Sequence, residues 1–128
     1  MKNNIILLIL VLNLIMGGLF MGCKKNIQDK NEGTYFFKSC NLYVLPVKPA
    51  GEISMSDIKQ YSTYYEAKYN NKGNLIELKK ILRSEIVFTY KYIYDNEGNL
   101  IEYSVSKRSE PNVVKVYNVK GDLLRVEK

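Results

Sequence analysis

A short segment that recurs three times in the second half of the chain constrains its fold more than any other feature. Each copy begins with Tyr and then Asn or Asp, has Gly at its fifth position, and continues with Asn or Asp and then Leu. The copies align without gaps and span Tyr69–Glu77, Tyr94–Glu102 and Tyr117–Arg125. A repeat at intervals of this length indicates one supersecondary unit that packs on its own copies.

Each copy is typical of a β-hairpin. Asn and Asp begin turns because their side chains hydrogen-bond to nearby backbone. Glycine supplies the positive φ that a type I turn followed by a G1 bulge requires. The turn glycines are Gly73, Gly98 and Gly121, and we expect their role to be structural.

The segment Glu85–Tyr94 is rich in β-branched and aromatic residues, which favour strands. Alternation predicts one face with Ile86, Phe88, Tyr90, Tyr92 and Tyr94. The other face, with Val87, Thr89, Lys91 and Ile93, is more polar.

We therefore predict an all-β fold, an antiparallel meander of about six to eight strands built from repeated hairpins. Polar connections are expected at 82–85 and 107–111. In the earlier part of the chain we predict two strands, at Tyr35–Ser39 and Leu42–Leu45. We also predict a degenerate fourth copy of the turn at 47–53, which contains Gly51, and one short helical turn at 54–61, capped by Ser54 or Ser56.

Residues 1–22 are predicted to be a secretory signal peptide. Lys2 gives the start one positive charge, Ile5–Met16 is apolar except for Asn13, and Gly22 is a small residue at the cleavage position. An uncleaved membrane anchor is the alternative, because the apolar run approaches the length of a spanning helix.

Residues 19–23, with the sequence LFMGC, resemble the lipobox of bacterial lipoproteins, in which a small residue precedes an invariant cysteine. The resemblance implies cleavage after Gly22, a diacylglycerol on the Cys23 thiol and an acylated Cys23 amine. Two or three acyl chains hold a protein stably on a membrane. With Lys24 rather than Asp next, the resemblance implies the outer membrane in a Gram-negative host, and otherwise the outer face of the cytoplasmic membrane.

Residues 23–33 are expected to be the lipidated cysteine and a flexible tether, because 24–33 is charged and has few apolar groups. Residues 34–128 then form a single β-repeat domain. Without residues 1–22, the chain has 18 Lys and Arg and 13 Asp and Glu, and the two kinds of charge are interspersed along the sequence. This pattern favours an ordinary mixed surface, with mild attraction to anionic headgroups or acidic glycans as the alternative. Nucleic acid is not an expected partner of an exported chain.

The stretch Tyr94–Leu100 closely resembles the YD repeat, also called the RHS repeat, whose core is Tyr-Asp-x-x-Gly-Asn/Arg-Leu. The resemblance covers residues 65–128 and implies a ribbon of hairpins. It does not imply the closed shell of long RHS proteins, since three or four copies cannot close one. MORN-type repeats are a second, weaker resemblance.

The composition argues against most kinds of catalysis. The chain has no histidine, which excludes Ser-His-Asp triads, Cys-His pairs and imidazole metal sites. Cys40 has no evident base near it in sequence and is expected to be a buried free thiol, with an intermolecular bridge as the alternative. We predict that the protein is not an enzyme and uses no cofactor and no metal.

The remaining hypothesis is a binding module, held at the membrane by its lipid, for a protein or glycan partner. Tyrosine offers a large contact area at low entropic cost. The candidate binding residues are Tyr61, Tyr64, Tyr65, Tyr90, Tyr92 and Tyr103; covering a thin sheet is the plainer use of these rings. The alternatives are an immunity or inhibitor lipoprotein that neutralises a toxin, and an envelope assembly factor that pairs through a sheet edge.

Overall fold

The computed structural model describes residues 30–128, which form one eight-stranded antiparallel sheet in the order β2-β1-β3-β4-β5-β6-β7-β8. The strands are β1 Gly33–Asn41, β2 Lys48–Ile53, β3 Thr63–Tyr69, β4 Leu75–Leu82, β5 Glu85–Tyr94, β6 Leu100–Lys107, β7 Glu110–Asn118 and β8 Leu123–Glu127. The predicted all-β meander is confirmed, at the upper end of the predicted strand number. The predicted signal peptide, with Gly22 and Cys23, lies outside the described residues. Nothing in 30–128 forms a helix long and apolar enough to span a bilayer.

The three repeats form one and the same turn, which joins β3 to β4, β5 to β6 and β7 to β8. In the first, the Gly73 N–H donates to the Asn70 carbonyl and the Asn70 N–H donates to the Asn74 carbonyl, both at 3.0 Å. The Asn70 Oδ1 also accepts hydrogen bonds from the backbone N–H groups of Lys72 and Asn74, at 3.0 and 2.9 Å. The same four hydrogen bonds recur around Asp95 and Asn118.

The turn glycines have the positive φ that the sequence predicts, at +77°, +84° and +88°. This conformation is strained for side chains with a Cβ, which explains the glycine in every copy. Each return strand then carries one extra residue, since the register shifts beside Tyr69, Tyr94 and Tyr117. The shift in β4 places Leu75 opposite Tyr69 and Leu78 opposite Ala67, so two leucines three positions apart share one face.

The sheet has two chemically different faces. The aromatic face carries the core, whose buried members are Phe37, Val47, Ala67, Tyr69, Leu75, Leu78 and Tyr92. Around them on the same face lie Tyr35, Tyr65, Phe88, Tyr90, Tyr94, Leu100 and Tyr103. The polar face carries ion pairs, with Lys79 Nζ 3.2 Å from Glu66 on the neighbouring strand β3 and 3.0 Å from Glu77 on the same strand.

The alternation predicted for β5 holds from Phe88 to Tyr94 and is wrong at Ile86. The register shifts between Lys80, which faces Phe88, and Ile81, which faces Ile86. Val87 is therefore the extra residue, and Ile86 turns away from the aromatic face and is 48% exposed.

The strand at Tyr35–Ser39 is confirmed within β1, whereas the strand predicted at Leu42–Leu45 is wrong. The Asn41 Oδ1 accepts a hydrogen bond from the Tyr43 N–H at 3.0 Å, an Asx turn that ends β1. The chain then crosses the aromatic face as a loop and re-enters the sheet as β2.

The degenerate turn predicted at 47–53 is also wrong, because Gly51 lies inside β2. Its φ is +71°, and a Cβ there would be 3.4 Å from the Lys38 Cβ. A helical turn is confirmed at Ile58–Gln60, but Asp57 stands at its N-cap, not Ser54 or Ser56.

The last residues of the predicted tether pack on the sheet. Lys30 forms an ion pair with Glu52, and its ammonium lies 4.6 Å from the centre of the Tyr35 ring. β1 begins at Gly33, one residue before the predicted start of the domain. The β-sheet domain therefore includes a short N-terminal segment in which the Lys30 side chain is held in place.

Candidate functional site

A groove of about 340 Å³ opens on the aromatic face, between the loop 42–47 and strands β5, β6 and β7. One wall is the loop, and the floor is formed by side chains from three neighbouring strands. The lining residues are Leu42, Tyr43, Leu45, Val47, Tyr90, Tyr103, Val105, Lys107 and Tyr117.

The loop that forms one wall of the groove has one end buried in the core, whereas its other side chains are partly or fully exposed to solvent. Val47 is buried in the core cluster and fixes the end of the loop. Leu42 and Leu45 are 42% and 41% exposed, and the Tyr43 side chain is 99% exposed. Beside the groove, the Tyr43 side chain is therefore uncovered and the two leucines are partly uncovered, and exposed apolar groups that cluster in this way are typical of binding surfaces.

The floor is a row of tyrosines that the strand register places side by side. Tyr103 lies opposite Tyr92 on β5 and opposite Tyr117 on β7. The Tyr103 and Tyr117 rings stack at 5.2 Å with an interplanar angle of 16°, and the Tyr90 ring lies 6.4 Å from Tyr103 at 27°. Because the rings stack on one another, they present their edges and hydroxyl groups to the groove.

The hydroxyl groups of Tyr90 and Tyr103 are protonated at neutral pH. Burial is the main cause that raises the pKa of Tyr90 and of Tyr103, with smaller contributions from neighbouring tyrosines. Lys107 at the rim supplies the charge of the lining. The groove is therefore mostly apolar, with neutral hydrogen-bonding groups and one cation.

Tyr92 lies beneath the floor and belongs to the core, with 4% of its surface exposed. Its hydroxyl is buried and has no hydrogen-bond partner among residues 30–128. Burial raises the pKa of Tyr92 strongly, and the Val47 backbone, which lies near the hydroxyl but outside hydrogen-bond geometry, lowers it.

The structure brings two of the six predicted binding tyrosines, Tyr90 and Tyr103, into the groove. Tyr65 shares the aromatic face but lies against Phe88, with ring centres 6.5 Å apart. Tyr64 packs edge-on against Phe36 at 6.1 Å, on the opposite side of the sheet from Tyr65.

Tyr61 lies elsewhere, at the end of the helical turn, with the Lys38 ammonium 5.5 Å from its ring. Sequence reasoning missed the loop residues and Tyr117. The signal for Tyr117 is its position as the first residue of the third repeat, equivalent to Tyr69 and Tyr94.

A second depression of about 410 Å³ lies beside the turn that joins β6 to β7. It is lined by Val87, Phe88, Lys107, Arg108 and Ser109. Arg108 is ion-paired with Glu85, and Phe88 is the one ring in the lining. This depression offers a partner fewer uncommitted groups than the groove under the loop.

The reactive groups of the described residues are dispersed. Cys40 is a free, half-buried thiol rather than a fully buried one, and burial raises its pKa to about 11. It is therefore a neutral thiol at physiological pH. Within residues 30–128, no three His, Cys, Asp or Glu side chains gather closely enough to hold a metal ion.

A family model described as a family of unknown function (DUF6156) matches residues 29–125, a range that contains strands β1 to β7 and most of β8. No curated protein and no solved structure matches the chain.

Proposed function

The chain belongs to the DUF6156 family, whose function is unknown, and we propose that it is a non-catalytic binding module anchored to the cell envelope by a lipid on Cys23. The observation that carries the proposal is the groove on the aromatic face, where Tyr43, Leu42 and Leu45 are exposed beside a floor of tyrosines. Aromatic and aliphatic groups with a few polar ones are the usual lining of a recognition site.

The chemistry of the groove favours a protein partner over a glycan. A sugar ring binds to the open flat side of an aromatic ring, and in the floor the stacking of Tyr103 on Tyr117 at 5.2 Å leaves less open ring surface, so that Tyr43 is the one exposed ring of the groove. The loop wall instead offers leucine side chains, which bury apolar protein side chains well. The tyrosine hydroxyls and Lys107 can hydrogen-bond to the carbonyl groups of a peptide.

The position of Lys30 determines how far the domain could reach from a lipid on Cys23. Lys30 is held against Glu52 and Tyr35, so the domain begins at a fixed point on the sheet. Only 24–29 lie between Cys23 and that point, and a fully extended chain spans at most about 3.6 Å per residue. A lipid on Cys23 then keeps the domain within about 25 Å of the headgroups.

The experiment is photo-crosslinking in intact cells with the full-length chain. A p-benzoyl-phenylalanine residue replaces Tyr43 at the groove, and in the matched control it replaces Lys68, which is exposed on the polar face of β3. We expect a light-dependent protein adduct at position 43 that is absent at position 68. The double variant Leu42→Asp with Leu45→Asp should abolish the adduct while the protein level is unchanged, because both side chains are exposed.

Equal adducts at both positions, or adducts with glycan or lipid alone, would contradict a protein-binding groove. Mass spectrometry of the N-terminal peptide from the same cells tests the anchor. We expect a diacylglycerol on Cys23 at the new N-terminus, and an unmodified Cys23 within an intact precursor would overturn this part of the proposal.

A further inference from the structure

The two edges of the sheet differ in how they are protected against pairing. The β2 edge carries Lys48, Pro49 and a glycine with positive φ, three features that discourage the addition of a strand. The β8 edge has none of them, and every residue of Leu123–Glu127 is exposed. Leu123, Leu124 and Val126 are 53%, 51% and 46% exposed, so apolar side chains line this edge.

The turn before β8 determines which of its backbone groups point outward. The Asn118 N–H donates to the Asp122 carbonyl, which makes these two a hydrogen-bonded pair. Along an antiparallel ladder, hydrogen-bonded pairs alternate with pairs that are not hydrogen-bonded. The extra residue lies in β8, so the alternation along β7 is unbroken, and Lys115, three positions before Asn118, belongs to a pair that is not hydrogen-bonded. Val126 lies opposite Lys115, so its N–H and C=O point away from β7 into solvent.

We propose that β8 pairs with β8 of a second copy of this chain, antiparallel and centred on Val126. The two Val126 residues face each other and exchange two N–H to C=O hydrogen bonds. This register places Arg125 of each copy opposite Glu127 of the other, twice across the axis. A two-fold interface requires such self-complementarity, whereas parallel pairing in register would place Arg125 opposite Arg125.

Few contacts of the single chain must change for this pairing. The Arg125 guanidinium donates to both carboxylate oxygens of Glu102, at 3.1 and 2.8 Å, and these contacts lie within one copy. The Arg125 Nε donates to Glu127 of the same chain at 2.8 Å. This is the one contact that pairing would replace, by a contact with Glu127 of the second copy. Because the two-fold axis is perpendicular to the sheet, both copies present their aromatic face on the same side. The pairing depends neither on the groove nor on the lipid.

Disulfide trapping in cells tests the pairing with the full-length chain. In a Cys40→Ser background, Val126→Cys should give an intermolecular disulfide, because a hydrogen-bonded antiparallel pair holds its Cα atoms about 5.5 Å apart. Ala50→Cys, at an exposed position of the opposite edge β2, is the matched control and should remain monomeric. Equal trapping at both edges, or trapping of Val126→Cys on a different protein, would overturn the proposal.

Light scattering of the detergent-solubilised chain gives the second test. We expect the unaltered chain to be dimeric, and Val126→Lys to weaken the dimer at least about tenfold because two ammonium groups would meet at the axis. Val126→Pro should act in the same way, since it removes an N–H that points away from β7. Circular dichroism should show an unchanged sheet in both variants. A monomeric unaltered chain, or a Val126→Lys variant as dimeric as the unaltered one, would refute the inference.

Discussion

Two tyrosines on the same face of β5 should respond to the loss of their hydroxyl groups with opposite changes in stability. The Tyr94 hydroxyl donates a hydrogen bond to the Leu75 carbonyl at 2.7 Å. Tyr92, two residues earlier, has a buried hydroxyl without a partner among residues 30–128. The substitution Tyr→Phe removes the same atom in both cases, so each variant serves as the control for the other.

Removing a typical hydrogen bond lowers the free energy of unfolding by about 0.5–1.5 kcal/mol, which is the loss expected for Tyr94→Phe. A buried polar group that lacks a partner costs about 1–3 kcal/mol, so Tyr92→Phe should stabilise the domain by about 1 kcal/mol or more. For a domain of this size, 1 kcal/mol shifts Tm by about 4–8 °C.

The assay is thermal and urea unfolding followed by circular dichroism, with the two variants and the unaltered chain side by side. The order of stability should be Tyr92→Phe, then the unaltered chain, then Tyr94→Phe. A loss for Tyr92→Phe as large as that for Tyr94→Phe would refute the reasoning, because it would show that the Tyr92 hydroxyl is hydrogen-bonded.

Three further predictions concern the turns and the thiol. The φ of Gly98 is +84°, and a Cβ there would meet nothing closer than 3.8 Å, so a substitution strains the backbone without a clash. Gly98→Ala should therefore lower the free energy of unfolding by about 1–2 kcal/mol, and Gly98→Asn by less, because Asn adopts this conformation more readily than Ala. Urea unfolding checks this, and an equal loss for Ala and Asn would contradict it. Hydrogen bonds, above all from the Asn99 backbone, hold the pKa of Asp95 below its usual value, so this carboxylate stabilises the fold above about pH 4 and loses that effect as the pH falls through the lowered pKa. Asp95→Asn should therefore lose less stability than the unaltered chain between about pH 6 and pH 3, and a steeper loss would show that the carboxylate does not act in this way. In a Cys23→Ala variant, alkylation of Cys40 at about pH 8 should be at least about tenfold slower in the folded chain than in urea, because burial raises its pKa to about 11; equal rates would show that the thiol is not shielded.

The turns were predictable from the sequence because every interaction that forms them is local. In the second repeat, the Asp95 side chain reaches only as far as Asn99, and Gly98 lies between them. A motif of seven residues therefore contains the whole physical cause of the hairpin, and the number and spacing of hairpins follow from its copies.

The parts that failed depend on contacts distant in sequence. Ile86 has the right spacing for the aromatic face, but the extra residue Val87 exists because of how β5 meets β4. Leu42–Leu45 has the composition of a strand, yet the loop it forms depends on the burial of Val47 against rings from β5 and β6. The groove could not be predicted for the same reason, since the loop residues and the two tyrosines, Tyr103 and Tyr117, are far apart in sequence and are brought together by the sheet.

The groove and the pairing at β8 both depend on one claim, that each turn and the extra residue after it set the strand register. Nuclear Overhauser contacts between Hα protons test it, because residues opposite each other in a pair that is not hydrogen-bonded have their Cα atoms about 4.5 Å apart. Asp95 and Asn99 form a hydrogen-bonded pair, and alternation along the ladder from there makes Tyr92 and Tyr103 a pair that is not hydrogen-bonded. By the same alternation from Asn118 and Asp122 in the third turn, Tyr117 and Leu123 form such a pair, and both pairs should give strong Hα contacts. A contact from Tyr92 to Glu102 in place of Tyr103 would show a hairpin without the extra residue, and would contradict the claim.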